Sequence, residues 1–292
     1  MKIKYCKREQ IDHDLWDACV KKAVNGHVFA QSWYLDIVCD DWGAVVADDY
    51  LAVLPLPLKR NSLFKRVYSP YWSPYLGIIN QQPLPEKDGK LMLEHIPNRN
   101  FELVMNAHNK LPKSGLSISN VLKFSVLDLI EDLSRIESNF SPEMKSVVDS
   151  YKAKKLTVVR ALNGTEYIDF VKRDNVYSER SDLPTLLKIV SFALRYKSAG
   201  LYAAYDESNS MIAGAFILKS QKCLSLIHCA DVYSKHDAVK AIVYHMLEHN
   251  AGSNLTLEFP FYSKEIGQGF SDNEHHCLVY KKGLPKWISL IS

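Results

Sequence analysis

The clearest pattern of apolar and polar positions lies in the second half of the chain. Three apolar runs, 201–205, 211–219 and 223–230, are joined by short polar turns, and this spacing predicts three antiparallel strands. Asp237 then predicts the cap of a helix, because apolar residues recur after it at helical spacing. Leucine and phenylalanine alternate with other residues over 255–261, which predicts another strand. This order predicts an α/β domain with a mixed sheet, antiparallel first and parallel later.

Polar caps and prolines place further elements upstream. Ser141 precedes a proline and an acid, and this triplet predicts a helix start because all three favour the first turn. Asp182 predicts the cap of a long amphipathic helix. The apolar runs on either side of residues 48–50 predict a hairpin, whose second strand carries Pro55 and Pro57. Because proline cannot donate to a ladder, we expect that strand at a sheet edge.

Composition and charge narrow the classes of protein. The 292 residues are 47% hydrophobic and 24% charged, with a net charge of +3, which is too mild for a nucleic-acid-binding domain but allows a local basic patch for an anion. The six cysteines form no CxxC pair, which argues against a cysteine metal site or a compact disulfide framework. We find no signal-like N-terminus and no apolar run that could span a membrane, so we expect a cytoplasmic protein.

Short motifs along most of the chain resemble the Fem-type (FemAB-like) members of the GNAT acyltransferase superfamily. In the second half the resembling segments are 127–133 (LDLIEDL), 141–145 (SPEMK), 154–158 (KKLTV), 201–205 (LYAAY), 212–215 (IAGA) and 280–286 (YKKGLPK). In the first half they are 29–33 (FAQSW) and the proline- and aromatic-rich stretch 68–77. The resemblance implies an α/β fold of two GNAT-like lobes, 1–126 and 127–292, with a cleft between them.

The resemblance also implies an acyl- or aminoacyltransferase that acts on an amine acceptor. The acceptor would be a small-molecule or nucleotide-linked amine, such as a cell-envelope precursor, and the acyl donor would be acyl-CoA or aminoacyl-tRNA. The alternative is a non-catalytic ligand-binding protein with a degenerate GNAT fold. Two departures keep it open: no glycine stands between 233 and 238, where a phosphate cradle needs one, and Glu258-Phe-Pro-Phe-Tyr262 replaces the family's Asp-Phe-Glu-Gly-Ser.

Three residues are candidates for acid–base chemistry in such a transfer. Glu258 is the first candidate base, although a solvated or salt-bridged strand acid would have the same pattern. His228 stands near the end of the central strand, and alternation puts it on one face with three apolar residues, Leu224, Leu226 and Ala230. A buried structural histidine fits that position as well. Asp231 follows as a third candidate, or as a turn former before the helix.

Aromatic residues are candidates for substrate binding. Tyr71, Trp72 and Tyr75 have the composition of a ligand-cleft wall, or of a rigid packed loop. Tyr262 follows the altered strand and is a candidate either to contact substrate or to plug the cleft.

Basic residues and histidines supply the remaining candidates. Lys145, in a lysine-rich helix, is a candidate for phosphate binding, with a solvated helix face as the alternative. Arg180 is a candidate anion clamp. The pairs His245/His249 and His275/His276 have a composition that could suit a metal. The former pair has i,i+4 helical spacing, but no Cys or further His stands near it in sequence, so we interpret these residues as surface histidines and predict no metal site.

Overall fold

The computed structural model describes residues 1–59, 66–97, 100–109, 117–153, 155–160, 162–173, 176, 182–233 and 236–283. The chain divides into two compact units, one formed by Met1–Lys123 with the residues from His276 onward and the other by Phe124–His275. The two lobes expected from sequence, 1–126 and 127–292, remain a prediction.

Both units are mixtures of helices and strands, which confirms the predicted α/β class. The first unit contains β1 (Ile3–Lys7), α1 (His13–Lys22), α2 (Ser32–Val38), β2 (Asp41–Ala47), β3 (Ala52–Leu58), β4 (Ile79–Asn80), α3 (Glu86–Glu94) and β5 (Phe101–Val104). The division between the units falls within β6 (Ser117–Asp128). The second unit continues with α4 (Leu133–Ser138), α5 (Pro142–Lys152), β7 (Thr157–Val159), α6 (Gly164–Val171), α7 (Leu183–Arg195), β8 (Ala199–Tyr205), β9 (Met211–Lys219), β10 (Cys223–Asp231), α8 (Asp237–Asn250), β11 (Thr256–Glu258) and α9 (Gln268–Phe270). The last strand, β12 (Glu274–Lys282), begins in the second unit and continues in the first.

The first unit is built on an antiparallel sheet with the strand order β1-β2-β3-β4. β2 and β3 form the predicted hairpin, and they pair along their whole length. β4 pairs with only the first two residues of β3, Ala52 and Val53. Pro55 and Pro57 lie beyond the stretch paired to β4. The end of β3 is nevertheless covered, because the Pro57 carbonyl accepts the backbone N–H of Tyr68 and Leu58 bridges antiparallel to Val67. The predicted edge position is therefore wrong at both ends of the strand.

Arg8, in the turn that follows β1, forms an ion pair with Asp36 of α2. Arg8 donates two hydrogen bonds to the Asp36 carboxylate at 2.6 and 2.8 Å, and the Trp42 indole donates a third at 2.8 Å. Burial by itself would raise the pKa of Asp36, but the bonds from Arg8 and Trp42 outweigh it and lower that pKa below its usual value. Such bidentate contacts are stronger than neutral hydrogen bonds.

The second unit contains the strand, strand, strand, helix, strand run predicted from sequence. β8, β9 and β10 are antiparallel neighbours, and β11 lies parallel to β10 on its other side. α8 connects these two parallel strands, and its apolar stripe is buried against the sheet: Val239, Ile242, Val243, Met246 and Leu247. Each such fully buried side chain contributes about 1.5–3 kcal/mol of hydrophobic stabilisation. This helix therefore anchors the part of the sheet that holds the candidate residues.

The helix caps agree with the sequence prediction at two positions and differ at a third. The Ser141 hydroxyl accepts a hydrogen bond from the backbone N–H of Met144, and Asp182 caps α7. Asp237, however, lies in the first turn of α8, and the cap is His236, whose backbone is left-handed at φ 59°. The Asp231 carboxylate accepts the backbone N–H of His236 at 3.1 Å and lies 3.0 Å from Nδ1 of its ring.

Candidate functional site

The candidate site lies where β10 and β11 part. Their parallel pairing covers only Cys223–Ser225 and Thr256–Glu258, after which β10 continues alongside β9 to Asp231 while β11 ends. The predicted strand over 255–261 is thus shorter than expected. Openings at the carboxyl ends of parallel strands are common ligand-binding places in α/β sheets. All three predicted catalytic residues lie on these two strands.

A β-bulge in β10 changes which face each side chain occupies. The register with β9 shifts between Leu226 and His228, so Ile227 is the extra residue. Leu226 and Cys229 consequently join the core beneath α8, whereas His228 lies on the opposite face. The predicted common face of His228 with Leu224 and Leu226 is therefore wrong, because simple alternation fails at the bulge.

Glu258 is buried at the last paired position of β11 and lies opposite Ser225 of β10. The Ser225 hydroxyl donates to one carboxylate oxygen at 3.2 Å, and Nδ1 of His275 lies 3.3 Å from the other. The thiol of Cys223 lies 3.5 Å from the same hydroxyl. Burial, followed by the nearby charge of Glu258, raises the pKa of the Cys223 thiol well above its usual value. The group is therefore a carboxylate–imidazole pair beside a thiol that stays protonated.

His228 is fully buried on the same sheet face and meets Tyr167 of α6. The Tyr167 hydroxyl lies 2.6 Å from Nδ1 of His228 and 3.2 Å from its carbonyl oxygen, and the two rings are perpendicular. Burial raises the pKa of Tyr167 well above its usual value, so the phenol is neutral in the folded protein. This geometry gives His228 a close structural contact inside the protein.

Asp231 is buried at the end of β10, and its carboxylate holds the start of α8. It accepts the backbone N–H of His236 at 3.1 Å and lies 3.0 Å from Nδ1 of that ring. Free N–H groups at a helix N-terminus bind phosphate, but here a carboxylate already takes one of them. Asp237 adds a second acid to the same turn. The two carboxylates at the start of α8 therefore make this helix N-terminus poorly suited to binding a pyrophosphate.

Tyr262 is buried just beyond the point where β11 ends. Its hydroxyl accepts a hydrogen bond from the backbone N–H of Cys229 at 3.3 Å. That N–H belongs to the part of β10 that has lost its parallel neighbour. Tyr262 therefore fills the space in which an extended ligand could pair with β10.

The other predicted binding residues are dispersed. Tyr71 is exposed, whereas Trp72 and Tyr75 are buried within the first unit. The carbonyl of Trp72 accepts a hydrogen bond from a buried tyrosine, and the Tyr75 ring packs perpendicular to the neighbouring phenylalanine and histidine rings. Lys145 lies on the exposed face of α5. Arg180 lies outside the described residues.

The histidine pair on α8 is engaged in local hydrogen bonds. The rings of His245 and His249 lie 4.6 Å apart. Nδ1 of His245 meets the Tyr151 hydroxyl at 2.8 Å, and Nδ1 of His249 lies 2.8 Å from a backbone carbonyl oxygen. Among the residues that the structure describes, no group of three or more His, Cys, Asp or Glu side chains is arranged to hold a metal ion.

Sequence reasoning missed three residues of the site. Ser225 is the strand partner of Glu258, but the register between β10 and β11 could not be predicted from sequence. Tyr167 lies on α6, 61 residues before its partner His228 in the sequence. His275 was interpreted as a surface histidine, and sequence could not show its contact with Glu258, because in the sheet order β6 lies between the strands of the two residues.

Comparisons with known proteins identify the fold. No protein-family model matches the sequence, and no curated protein matches it. Among solved structures, FemX is similar over 100% of this chain and 99% of its own, with a TM-score of 0.68 and 10% identity. L-PGS from Bacillus licheniformis (TM-score 0.56, 10% identity, 96% of this chain and 95% of that one) is also similar. So is a tandem GNAT protein from the clavulanic acid biosynthesis pathway (TM-score 0.50, 10% identity, 97% and 100%).

These likenesses show a Fem-like fold of two GNAT-like lobes, as the sequence motifs implied. Within the part of the chain that the structure describes, no helix is long and apolar enough to cross a membrane.

Proposed function

We propose that this chain, whose fold is that of FemX over its whole length, transfers an acyl or aminoacyl group to an amine acceptor. The acceptor is a small-molecule or nucleotide-linked amine of the kind used in cell-envelope precursors. Full-length likeness to FemX carries the proposal, because it covers both lobes and not only a shared sheet. The motifs that resemble Fem-type transferases support it independently.

The site chemistry is compatible with such a transfer. Attack by an amine on an acyl carbonyl needs a proton acceptor, and the pair formed by buried Glu258 and partly exposed His275 offers one. The protonated thiol of Cys223 argues against a covalent acyl-thiol intermediate at this place. The carboxylates at the start of α8 argue against acyl-CoA in a pose that puts its pyrophosphate there.

A second candidate function, that of a non-catalytic ligand-binding protein, is favoured by Tyr262. Its hydroxyl takes the Cys229 N–H next to the opening between β10 and β11. A donor that pairs with this part of β10 would have to displace a buried aromatic side chain. In this reading the fold is kept, while the donor place is filled by the protein itself.

A transfer assay distinguishes the two functions. The purified chain is incubated with labelled aminoacyl-tRNA or labelled acyl-CoA and a nucleotide-sugar peptide that carries a free amine, and amide product is measured. We expect product with wild type, and a kcat/KM lower on the order of 10²-fold for Glu258→Gln, the usual range for loss of acid–base catalysis. Asp149→Asn, an exposed acid on α5, is the matched control and should keep the wild-type rate.

Binding is measured in parallel by thermal shift. A ligand at 100 times its Kd stabilises the folded protein by about 2.7 kcal/mol. Stabilisation by the acceptor without any product from either donor would support the binding protein. Neither product nor stabilisation with this panel would reject both candidate functions for these substrate classes.

A further inference from the structure

We infer that His275 is the group that takes the proton from the attacking amine, and that Glu258 is the positioning residue that holds its ring. This inference rests on the proposed transfer function and assigns a role within the same site. It reverses the order suggested by the sequence, in which Glu258 is itself the base and His275 a surface histidine.

The contact between the two side chains has the geometry of an oriented imidazole. Nδ1 of His275 lies 3.3 Å from Oε1 of Glu258, while the second carboxylate oxygen receives the Ser225 hydroxyl. The ring of Phe124 stands nearly perpendicular to the imidazole, with centroids 5.7 Å apart and a 73° interplanar angle. A carboxylate at Nδ1 favours the tautomer with its proton there, which makes Nε2 the basic nitrogen. The ring is thereby fixed on two sides.

The difference in exposure decides which of the pair meets the substrate. The Glu258 side chain is only 6% exposed, whereas that of His275 is 24% exposed. An acceptor amine can therefore approach the imidazole, while the carboxylate lies behind it, occupied by Ser225. Base catalysis requires the base within about 2.6–3.2 Å of the proton that it removes, and exposure makes this distance accessible only for the imidazole.

The neighbouring titratable groups are compatible with this division of roles. Across the sheet His275 faces Glu258 of β11, with Cys223 of β10 behind the carboxylate. Glu274 and His276 are its chain neighbours and are exposed. The carboxylate is therefore the charged group that stabilises an imidazolium once the proton has arrived.

The step balances without any further reactant. The amine nitrogen attacks the carbonyl carbon of an acyl ester or thioester, a C–N bond forms, and the C–O or C–S bond of the donor breaks. The proton released by the amine goes to Nε2 of His275 and then to the departing alcohol or thiol. The products are an amide and the free hydroxyl or thiol of the donor carrier, and His275 ends neutral as it began.

The test compares His275→Gln with His276→Gln, the adjacent and exposed histidine, in the transfer assay as a function of pH. We expect His275→Gln to lower kcat on the order of 10²-fold with little change in KM. It should also abolish the fall in kcat at acid pH that arises because an imidazolium cannot accept a proton. A fall in kcat caused by protonation of the acceptor amine should remain in wild type and in His275→Gln. His276→Gln should match wild type.

Glu258→Gln tests the positioning role separately. It should lower kcat while keeping a pH dependence from His275, because glutamine can still accept from Nδ1–H but carries no charge for the imidazolium. Circular dichroism of each variant checks folding, and Glu258→Asp, which restores the charge on a shorter side chain, should recover part of the rate. If the role of Glu258 were purely structural, Glu258→Gln would not alter the pH profile of kcat and Glu258→Asp would not recover part of the rate.

The outcomes separate the inference from the function on which it rests. Active wild type with a His275→Gln variant of equal rate and equal pH profile overturns the inference and leaves the transfer function intact. An inactive wild type with every donor overturns the proposed function, and the role of His275 in transfer with it. Active wild type with a selective loss in His275→Gln supports both.

Discussion

The contact between Tyr167 and His228 gives the sharpest prediction about stability. Both side chains are fully buried, and the hydroxyl lies within 3.2 Å of two polar atoms of His228. Tyr167→Phe keeps the ring but removes the hydroxyl, so polar atoms of His228 lose a partner where water does not reach. Leaving a buried polar group in that state costs about 1–3 kcal/mol. We therefore expect Tyr167→Phe to lower the free energy of unfolding by about 2 kcal/mol.

That loss is large enough to measure by urea unfolding. About 2 kcal/mol corresponds to roughly a 30-fold change in the folding equilibrium and, for a protein of this size, to a fall in Tm of about 3 °C. Tyr196→Phe, which removes a hydroxyl from an exposed ring, is the matched control and should change stability by less than about 0.5 kcal/mol.

A double-mutant cycle shows whether the loss comes from this contact. His228→Leu removes the polar partner, and in the double variant both sides of the contact are apolar. Residues in direct contact show coupling energies of about 0.5–3 kcal/mol, whereas independent ones add. The reasoning would be refuted if Tyr167→Phe unfolded at the wild-type urea concentration, or if its effect were the same with leucine at position 228.

Three further predictions concern other parts of the fold. The lowered pKa of Asp36 means that its charge stabilises the fold above its usual value of 3.8, and that this contribution is lost as the pH falls through the folded-state value. Asp36→Asn, which weakens the pair with Arg8, should therefore cost about 1.5 kcal/mol in urea unfolding at pH 7 and less at pH 3; an equal cost at both would contradict the assignment. Ser141→Ala should cost about 1 kcal/mol by removing the α5 cap, whereas Ser146→Ala on the exposed face of that helix should cost less than about 0.5 kcal/mol; equal Tm values for the two would exclude the cap. Gly214→Ala would put a Cβ 2.9 Å from the buried tyrosine ring of α6 and should cost about 1–3 kcal/mol, and a wild-type Tm would show that the ring yields freely.

The sequence was informative wherever the determining signal is local. Alternation and polar turns predicted β8, β9 and β10, and hydroxyl or carboxylate caps predicted the starts of α5 and α7. These signals depend on residues within one or two turns of each other, so they survive without knowledge of the tertiary structure.

The arrangement of the site depends on contacts that a local pattern does not carry. The bulge at Ile227 has no glycine or proline to mark it, yet it moves His228 to the opposite face of the sheet. Likewise, His275 meets Glu258 only because of the strand order, which places β6 between their strands. The residue types were therefore predictable as candidates, while their partners were not.

The return of β12 to the first unit affects how the protein folds during synthesis. β5 pairs with residues 279–282, and the Ser119 hydroxyl donates to the carbonyl of Val279, 160 residues later in sequence. At about 5–20 residues per second, a ribosome needs roughly 8 to 30 seconds to cover that separation. During this interval the first unit lacks β12. The elements of the second unit up to β11 are synthesised in the same interval and can fold before the first unit is complete. The amino-terminal unit is thus expected to be the last to reach its native structure, and pulse-labelling of nascent chains would detect that reversed order.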